Sequence, residues 1–141
     1  MSFTNPSQDE ICRMLREVHN IAVVGLSPNV DRPSHRVAEG MQQLGYRIIP
    51  VHPRVAAVLG ETAYADLAGV PHPVDLVDVF RAPEHVPAIV DACIALGIKK
   101  LWLQDGVIHE EAAQRAREAG IAVVMDKCLW RDGGPCGPCH V

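Results

Sequence analysis

Five short, β-rich apolar segments alternate with helical patterns along this chain, and that alternation constrains the fold more than any other feature. Strands are predicted over residues 21–26, 46–51, 74–80, 100–104 and 121–125. Helices are predicted over residues 7–19, 34–44, 84–96 and 109–119, and the last three stop at Gly45, Gly97 and Gly120. Strands that alternate with helices form a parallel sheet, so the sequence predicts a doubly wound α/β fold.

The expected order of the five strands across this sheet is 3-2-1-4-5. The third strand carries Asp75 and Asp78, which do not fit one buried face, and this pattern favours a place near a sheet edge. Ser7 and Glu10 have the spacing of a capping box at the start of the first helix. Residues 54–73 are less regular and carry only a short helical pattern near residues 64–67.

Length and composition predict one domain. The chain has 141 residues, of which 48% are hydrophobic, and this is enough to bury a substantial core. Aromatic residues contribute only 4%, so the apolar content is mainly aliphatic, as in continuous buried parallel strands. We expect the domain to span residues 1–132, with residues 133–141 as a tail rich in Gly, Pro and Cys.

The net charge of −4 and the sequence pI near 5.9 exclude an overall positive field for nucleic acid or an anionic membrane. No apolar run approaches the roughly 20 residues that span a bilayer, and no segment resembles a signal peptide. The expected location is the cytoplasm. A protein partner or a homo-oligomer is left open.

The five cysteines do not form a spaced disulfide framework, and Cys12, Cys93 and Cys128 are expected to stay reduced. The tail contains Cys136, Cys139 and His140, whose spacing is that of a redox dithiol or a haem attachment site. These three residues could also supply zinc ligands, and a terminus that oxidises adventitiously is the alternative. We predict no resident metal and keep the three residues as candidates.

Ligands of open parallel sheets bind beyond the carboxyl ends of the strands, where the chain order reverses. That crevice is expected between the first and fourth strands. The first loop carries Gly25, Leu26, Ser27, Arg32 and Ser34 before a helix begins, so amides, hydroxyls and the helix dipole could receive a phosphate. An ordinary loop capped by Ser34 is the alternative. The loop lacks the second and third glycines of a dinucleotide fingerprint.

The end of the second strand discriminates between cofactors. Sites for NAD place an acidic residue there, whereas this chain has His52, Pro53 and Arg54. A cation at this point suits an additional phosphate, either that of NADP or the 3′-phosphate of coenzyme A. A solvated arginine after a proline turn explains Arg54 equally well.

Two further strand ends carry candidate contacts. Phe80 and Arg81 follow the third strand, where the guanidinium could meet a pyrophosphate or adenine. Gln104 and Gly106 follow the fourth strand, where an amide side chain and an accessible backbone could contact the ligand. A surface arginine and a polar cap are the ordinary alternatives.

The chain resembles the stand-alone CoA-binding domain family, which is related to the amino-terminal domain of the succinyl-CoA synthetase α subunit. The resemblance runs in order through residues 21–27, 31–34, 45–51, 77–81, 101–104 and 124–128. It implies a Rossmann-like fold that holds the adenosine and phosphates of coenzyme A at the first loop, the end of the second strand and the Arg81 region. His52 departs from the family, whose members usually carry asparagine before this proline, and the cysteine tail lies outside the family pattern.

The family relatives with ligase activity keep their catalytic histidine and nucleotide-grasp machinery in further domains. We therefore expect a protein that binds coenzyme A or acyl-CoA without catalysis of its own, and no catalytic residue is assigned. Two alternatives stay open: an enzyme that depends on NADP or acyl-CoA, and a metal- or redox-linked regulator that uses the cysteine tail.

Overall fold

The five predicted strands form one parallel sheet in the computed structural model, which describes residues 3–136. Along the chain, the second and third of these strands are separated by a small antiparallel hairpin of two further strands. The strands are β1 (Asn20–Val24), β2 (Arg47–Val51), β3 (Ala57–Val58), β4 (Glu61–Thr62), β5 (Leu76–Val79), β6 (Lys100–Leu103) and β7 (Ala122–Val124). The doubly wound α/β class is confirmed.

The predicted strand order is wrong. The sheet runs β2-β1-β5-β6-β7, so the third long strand lies between the first and the fourth. The outer side of β2 is occupied by Tyr64, whose N–H donates to the Pro50 carbonyl and whose carbonyl accepts from the His52 N–H. Pro50 also lacks an N–H for an outer neighbour. No place for β5 is therefore left beside β2, and the chain reverses between β1 and β5.

β5 is an interior strand, contrary to the expected place near an edge. All four of its residues are buried. The Asp75 carboxylate, just before β5, accepts from the backbone N–H groups of His19 and Asn20 and so aligns β5 with β1. Asp78 is fully buried, and neither of its carboxylate oxygens has a hydrogen-bond partner among the described residues.

The helices begin and end close to the predicted positions. They are α1 (Gln8–Leu15), α2 (Pro33–Gln43), α3 (Val86–Leu96) and α4 (Glu110–Glu118). The capping box of Ser7 and Glu10 is present, and α1 ends earlier than predicted because the chain turns there to enter β1. In place of the short helical pattern near residues 64–67, a 3₁₀ turn forms at Leu67–Gly69. No helix within residues 3–136 is long and apolar enough to cross a membrane.

Helices cover both faces of the sheet, because alternate residues of each strand point to opposite sides. Along β1, Ala22 and Val24 join a cluster with α3 and α4, whereas Ile21 and Val23 join a second cluster with α1 and α2. Each face buries aliphatic side chains, and the polar ends of the strands are left at the rim.

The Asn5 side chain covers the sheet edge at Met125, the residue that follows β7. The Asn5 amide donates to the Met125 carbonyl and its oxygen accepts from the Met125 N–H, both at 2.8 Å. The primary amide thus reproduces the donor and acceptor pair of a neighbouring strand. Such cover limits edge-to-edge association.

The carboxyl-terminal segment returns to α1, where Cys136 forms a disulfide with Cys12 across a sequence separation of 124. The expectation that Cys12 stays reduced is therefore wrong in this structure, whereas Cys93 and Cys128 are free thiols. No motif in the sequence indicates this pairing, which joins two distant parts of the chain where Gly133 packs against Leu15 of α1. The boundary at residues 132 and 133 stays a prediction.

Candidate functional site

A cleft opens at the carboxyl ends of β1, β2 and β5, next to the chain reversal. It consists of two adjoining cavities, of about 390 Å³ and 300 Å³, which share Gly25. The larger cavity is lined by Gly25, His52, Pro53, Arg54 and Arg81. The smaller cavity is lined by Gly25, Ser27, Arg32, Pro33, Ser34 and Phe80. We call this pair of cavities the arginine cleft.

Gly25 lies at the centre of the arginine cleft and must be glycine for two reasons. Its φ of +89° is in the left-handed region, which L side chains rarely adopt. A Cβ at this position would lie 2.9 Å from the Phe80 carbonyl oxygen and 3.1 Å from Cδ of Arg81. The chain therefore passes β5 in close contact, and its backbone is left open to the cleft.

The loop before α2 is held by its own side chains. The Ser34 Oγ accepts from the Ser27 N–H, the Ser27 Oγ accepts from the Asn29 N–H, and the His35 Nδ1–H donates to the Ser27 carbonyl. Several of the loop amides expected to receive a phosphate are thus already engaged. The loop is instead a rigid wall of the cleft.

The first turn of α2 supplies the positive end of a helix to the smaller cavity. Its N-cap is Arg32, which makes no side-chain capping bond, and Pro33 occupies the first turn. The sequence alternative of Ser34 as the cap is wrong, since Ser34 lies inside the helix. An anion at this point would be favoured both by the helix dipole and by the exposed Arg32 guanidinium.

The end of β2 forms a tight turn in the larger cavity. The His52 Nδ1 accepts a hydrogen bond of 3.1 Å from the Arg54 N–H, and the His52 N–H donates to the Tyr64 carbonyl. The Arg54 side chain is exposed at the rim. Arg81, across the cavity, donates to the His85 Nε2 at 3.2 Å. This bond holds its guanidinium beside the cleft.

A third cavity, of about 220 Å³, continues from the arginine cleft, with which it shares Pro53 and Arg81. Its other lining residues are mostly apolar: Val24, Val51, Ala65, Asp66, Leu67, Ala88, Ile89 and Ala92. This apolar wall and His85 were not among the predicted site residues. The sequence of α3 could have indicated this wall, because the helix carries apolar residues on more than the one face that packs on the sheet.

Three predicted site residues have other roles. The Leu26 side chain is fully buried in the core, so only its backbone is near the loop. Gln104 is buried and its Oε1 accepts from the Leu129 N–H, while the Gly106 N–H donates to the Asp126 carboxylate. Neither Gln104 nor Gly106 lines the three cavities, because β5 rather than β6 lies next to β1.

The candidate metal ligands are not assembled in the described part of the chain. The Cys136 sulfur is bonded to Cys12 and is no thiolate ligand in this form, while Cys139 and His140 lie outside the described residues. Within residues 3–136, no group of three His, Cys, Asp or Glu side chains could hold a metal ion.

Comparison with known proteins identifies the family. A family model described as a CoA-binding domain matches residues 19–133. The chain belongs to the CoA-binding domain family. An uncharacterized protein of Bacillus subtilis, YneT, is 42% identical over 125 residues, which cover 89% of this chain and 93% of that protein. The similarity therefore extends over most of both chains.

A ligase is related over a shorter part. The ADP-forming acetate–CoA ligase II of Archaeoglobus fulgidus is 26% identical over 99 residues, which cover 69% of this chain but only 15% of the ligase. The resemblance to the CoA-binding domain family noted in the sequence is thus confirmed.

Solved structures agree with the fold. A Thermus thermophilus protein, cell-free ID.343, has a TM-score of 0.87 at 35% identity and covers 93% of this chain and 99% of its own. A hypothetical protein of Pyrococcus horikoshii has a TM-score of 0.88 at 30% identity, with 96% and 99% covered. The dinucleotide-forming acetyl-coenzyme A synthetase 1 of Ca. Korarchaeum cryptofilum shares the fold, with a TM-score of 0.69 at 20% identity over 27% of its chain.

Proposed function

We propose that this protein binds coenzyme A or an acyl-CoA, with the phosphates in the arginine cleft and the adenine against the neighbouring apolar wall. Membership of the CoA-binding domain family supports the ligand class. The proposed position of the phosphates rests on the residues that line the arginine cleft.

One observation carries the proposal. Arg32, Arg54 and Arg81 surround two adjoining cavities, and none of the residues described as lining these two cavities is a carboxylate. The whole chain has a net charge of −4, so this local cationic surface runs against the overall charge. Guanidinium groups bind phosphate oxygens through paired, charge-assisted hydrogen bonds. A ligand with several phosphates matches such a surface.

The apolar third cavity supports an adenine at the same end of the sheet. Its lining combines aliphatic side chains with Arg81, whose planar guanidinium can stack on a ring. Pro53 and Arg81 belong to both this cavity and the arginine cleft, so one ligand could reach from one to the other. The end of β2 offers a cation rather than the acidic residue of NAD sites, which favours coenzyme A.

We further propose that the protein binds its ligand without chemical turnover, in the cytoplasm. The sequence of this domain corresponds to only 15% of the A. fulgidus ligase. An enzyme that depends on NADP or acyl-CoA is the competing function, because the same arginines suit the additional phosphate of NADP. Screening for reductase and acyl-transfer turnover separates the two, and sustained turnover would refute binding alone.

Isothermal titration calorimetry with coenzyme A, dephospho-coenzyme A, NADP and NAD tests the ligand. We expect coenzyme A to bind most tightly, and its 3′-phosphate to add about tenfold or more, as charge-assisted hydrogen bonds typically do. Tighter binding of NAD than of coenzyme A would refute the proposal. Tighter binding of NADP would support the competing enzyme.

A matched pair of variants tests the placement. Arg54→Gln removes a charge from the arginine cleft, whereas Arg36→Gln removes the same charge from an exposed position of α2 that lines neither cavity. Arg54→Gln is expected to weaken coenzyme A binding about tenfold and to leave dephospho-coenzyme A nearly unaffected. Equal effects of the two variants would show that only the overall charge matters.

A further inference from the structure

The hydrogen bond between His52 and Arg54 fixes the state of the imidazole in this structure. The Arg54 backbone N–H can only donate, so the His52 Nδ1 that lies 3.1 Å away must accept and carry no proton. The neutral ring therefore carries its proton on Nε2. A second bond, from the His52 N–H to the Tyr64 carbonyl, anchors the backbone of the turn.

This arrangement satisfies a donor that would otherwise face the larger cavity without a partner. His52 and Arg54 both line that cavity. If Nδ1 took up a proton, the ring N–H and the Arg54 N–H would be two adjacent donors, which cannot form a hydrogen bond with each other. An anionic oxygen could accept from both of them. The turn is thus satisfied in two ways: by itself when His52 is neutral, and by an anion when His52 is charged.

The surrounding charges favour an anion over other ways of resolving such a pair of donors. Arg54 lies on the same turn, Arg81 faces it from the end of β5, and Tyr64 packs on the outer side of β2. Arg32 adds a cation from the adjoining cavity. Among the residues that line the three cavities, the one carboxylate is Asp66 of the third cavity, which accepts from the Gly69 N–H. A phosphomonoester, with up to two negative charges, could offset the additional imidazolium.

We propose that His52 recognises a phosphomonoester by taking up a proton as the ligand binds. The buffer supplies the proton to Nδ1, the bond from the Arg54 N–H to Nδ1 breaks, and both N–H groups then donate to the phosphate. This inference rests on the proposed function and assigns to His52 the discrimination between coenzyme A and dephospho-coenzyme A. Because a proton binds together with the ligand, the affinity for coenzyme A would then strengthen as the pH falls.

Calorimetry measures this proton directly. Coenzyme A is titrated at about pH 7.5, where its phosphomonoester is already almost entirely a dianion, in two buffers that differ in their ionisation enthalpy. The difference in heat gives the number of protons taken up. Dephospho-coenzyme A, which lacks the phosphomonoester, is the ligand control. The wild-type protein is expected to take up a fraction of a proton more with coenzyme A than with dephospho-coenzyme A.

The variant His52→Asn keeps an acceptor for the Arg54 N–H but cannot be protonated. His109→Asn is its matched control, because the His109 Nδ1 also accepts from a backbone N–H, that of Ala112, but lines neither cavity of the cleft. His52→Asn should lose the additional proton uptake. Its increase in coenzyme A affinity from pH 8.5 to pH 6.5 should be about three- to tenfold smaller than that of the wild type. His109→Asn should behave like the wild type in both measurements.

The ring nitrogens of the unmodified protein give a second test that does not depend on a variant. Nitrogen NMR shifts of His52 are expected to change from a neutral ring protonated on Nε2 to an imidazolium when coenzyme A is added. Coenzyme A binding with unchanged proton uptake and a ring that stays neutral would overturn this inference alone. Failure of coenzyme A to bind would overturn the proposed function and this inference with it.

Discussion

The buried carboxyl of Asp78 is expected to make the protein less stable as the pH rises. Asp78 lies in the middle of β5, between Val23 of β1 and Trp102 of β6, and is 0% exposed. Burial raises the pKa of this carboxyl well above its usual range. The folded chain therefore holds a proton that the unfolded chain releases above about pH 4.

The size of the effect follows from that one proton. Since the folded state binds one proton more than the unfolded state, the free energy of unfolding falls by about 1.4 kcal/mol for each pH unit. The full contribution is present below the unfolded pKa and is lost as the pH rises toward the folded pKa. Asp78→Asn removes the ionisable group, so the difference in stability between variant and wild type should grow with pH in the same proportion.

Urea unfolding at a series of pH values from 5 to 8, followed by tryptophan fluorescence, measures this difference. The variant is expected to gain stability over the wild type as the pH rises, because its buried side chain has no proton to lose. Asp31→Asn, at an exposed loop position, is the control and should follow the wild-type pH dependence. Parallel curves for Asp78→Asn and the wild type would show that Asp78 is ionised in the folded state.

Three further changes have expected outcomes. Gly25→Ala would place a side chain at a positive φ and against the Phe80 carbonyl. It should lower the free energy of unfolding in urea by at least roughly 1–2 kcal/mol and weaken coenzyme A binding in calorimetry. Unchanged binding would contradict the close approach of Gly25 to Phe80. Asn5→Ala removes both bonds to Met125 and should destabilise the chain by about 1–3 kcal/mol, and an unaltered urea midpoint would show that the edge of β7 needs no cover. Without reductant, Cys136→Ser should be about 3–5 kcal/mol less stable than the oxidised wild type and about as stable as the reduced wild type. Equal stability of the variant and the oxidised wild type would rule out a stabilising disulfide.

Most elements could be predicted because their signals are local. Apolar runs of strand length, the capping box at Ser7 and the glycine after α3 all act within a few residues. The order of the strands is not local, and it was predicted wrongly. One signal was available: Pro50 lies within β2 and cannot donate on its outer side, which argues that no full strand pairs there.

The candidate site was partly predictable for a related reason. Gly25, His52, Arg54 and Arg81 each lie within three residues of the end of a strand. The carboxyl ends of parallel strands meet at one edge of the sheet whatever their order. Gln104 was placed in the site because β6 was expected beside β1, so the wrong strand order led to a residue that instead holds Leu129. The disulfide could not be predicted, because Cys12 and Cys136 are 124 positions apart in the sequence and only the tertiary fold brings them together.

The arginine cleft exists only in the folded chain, because its residues come from three different strand ends that the sheet brings together. A ligand that binds there and not to the unfolded chain stabilises the folded state and so raises the melting temperature. At a ligand concentration about a hundredfold above the dissociation constant, the added stability is about 2.7 kcal/mol. The folded fraction of this protein in a cell would then depend on the size of the coenzyme pool.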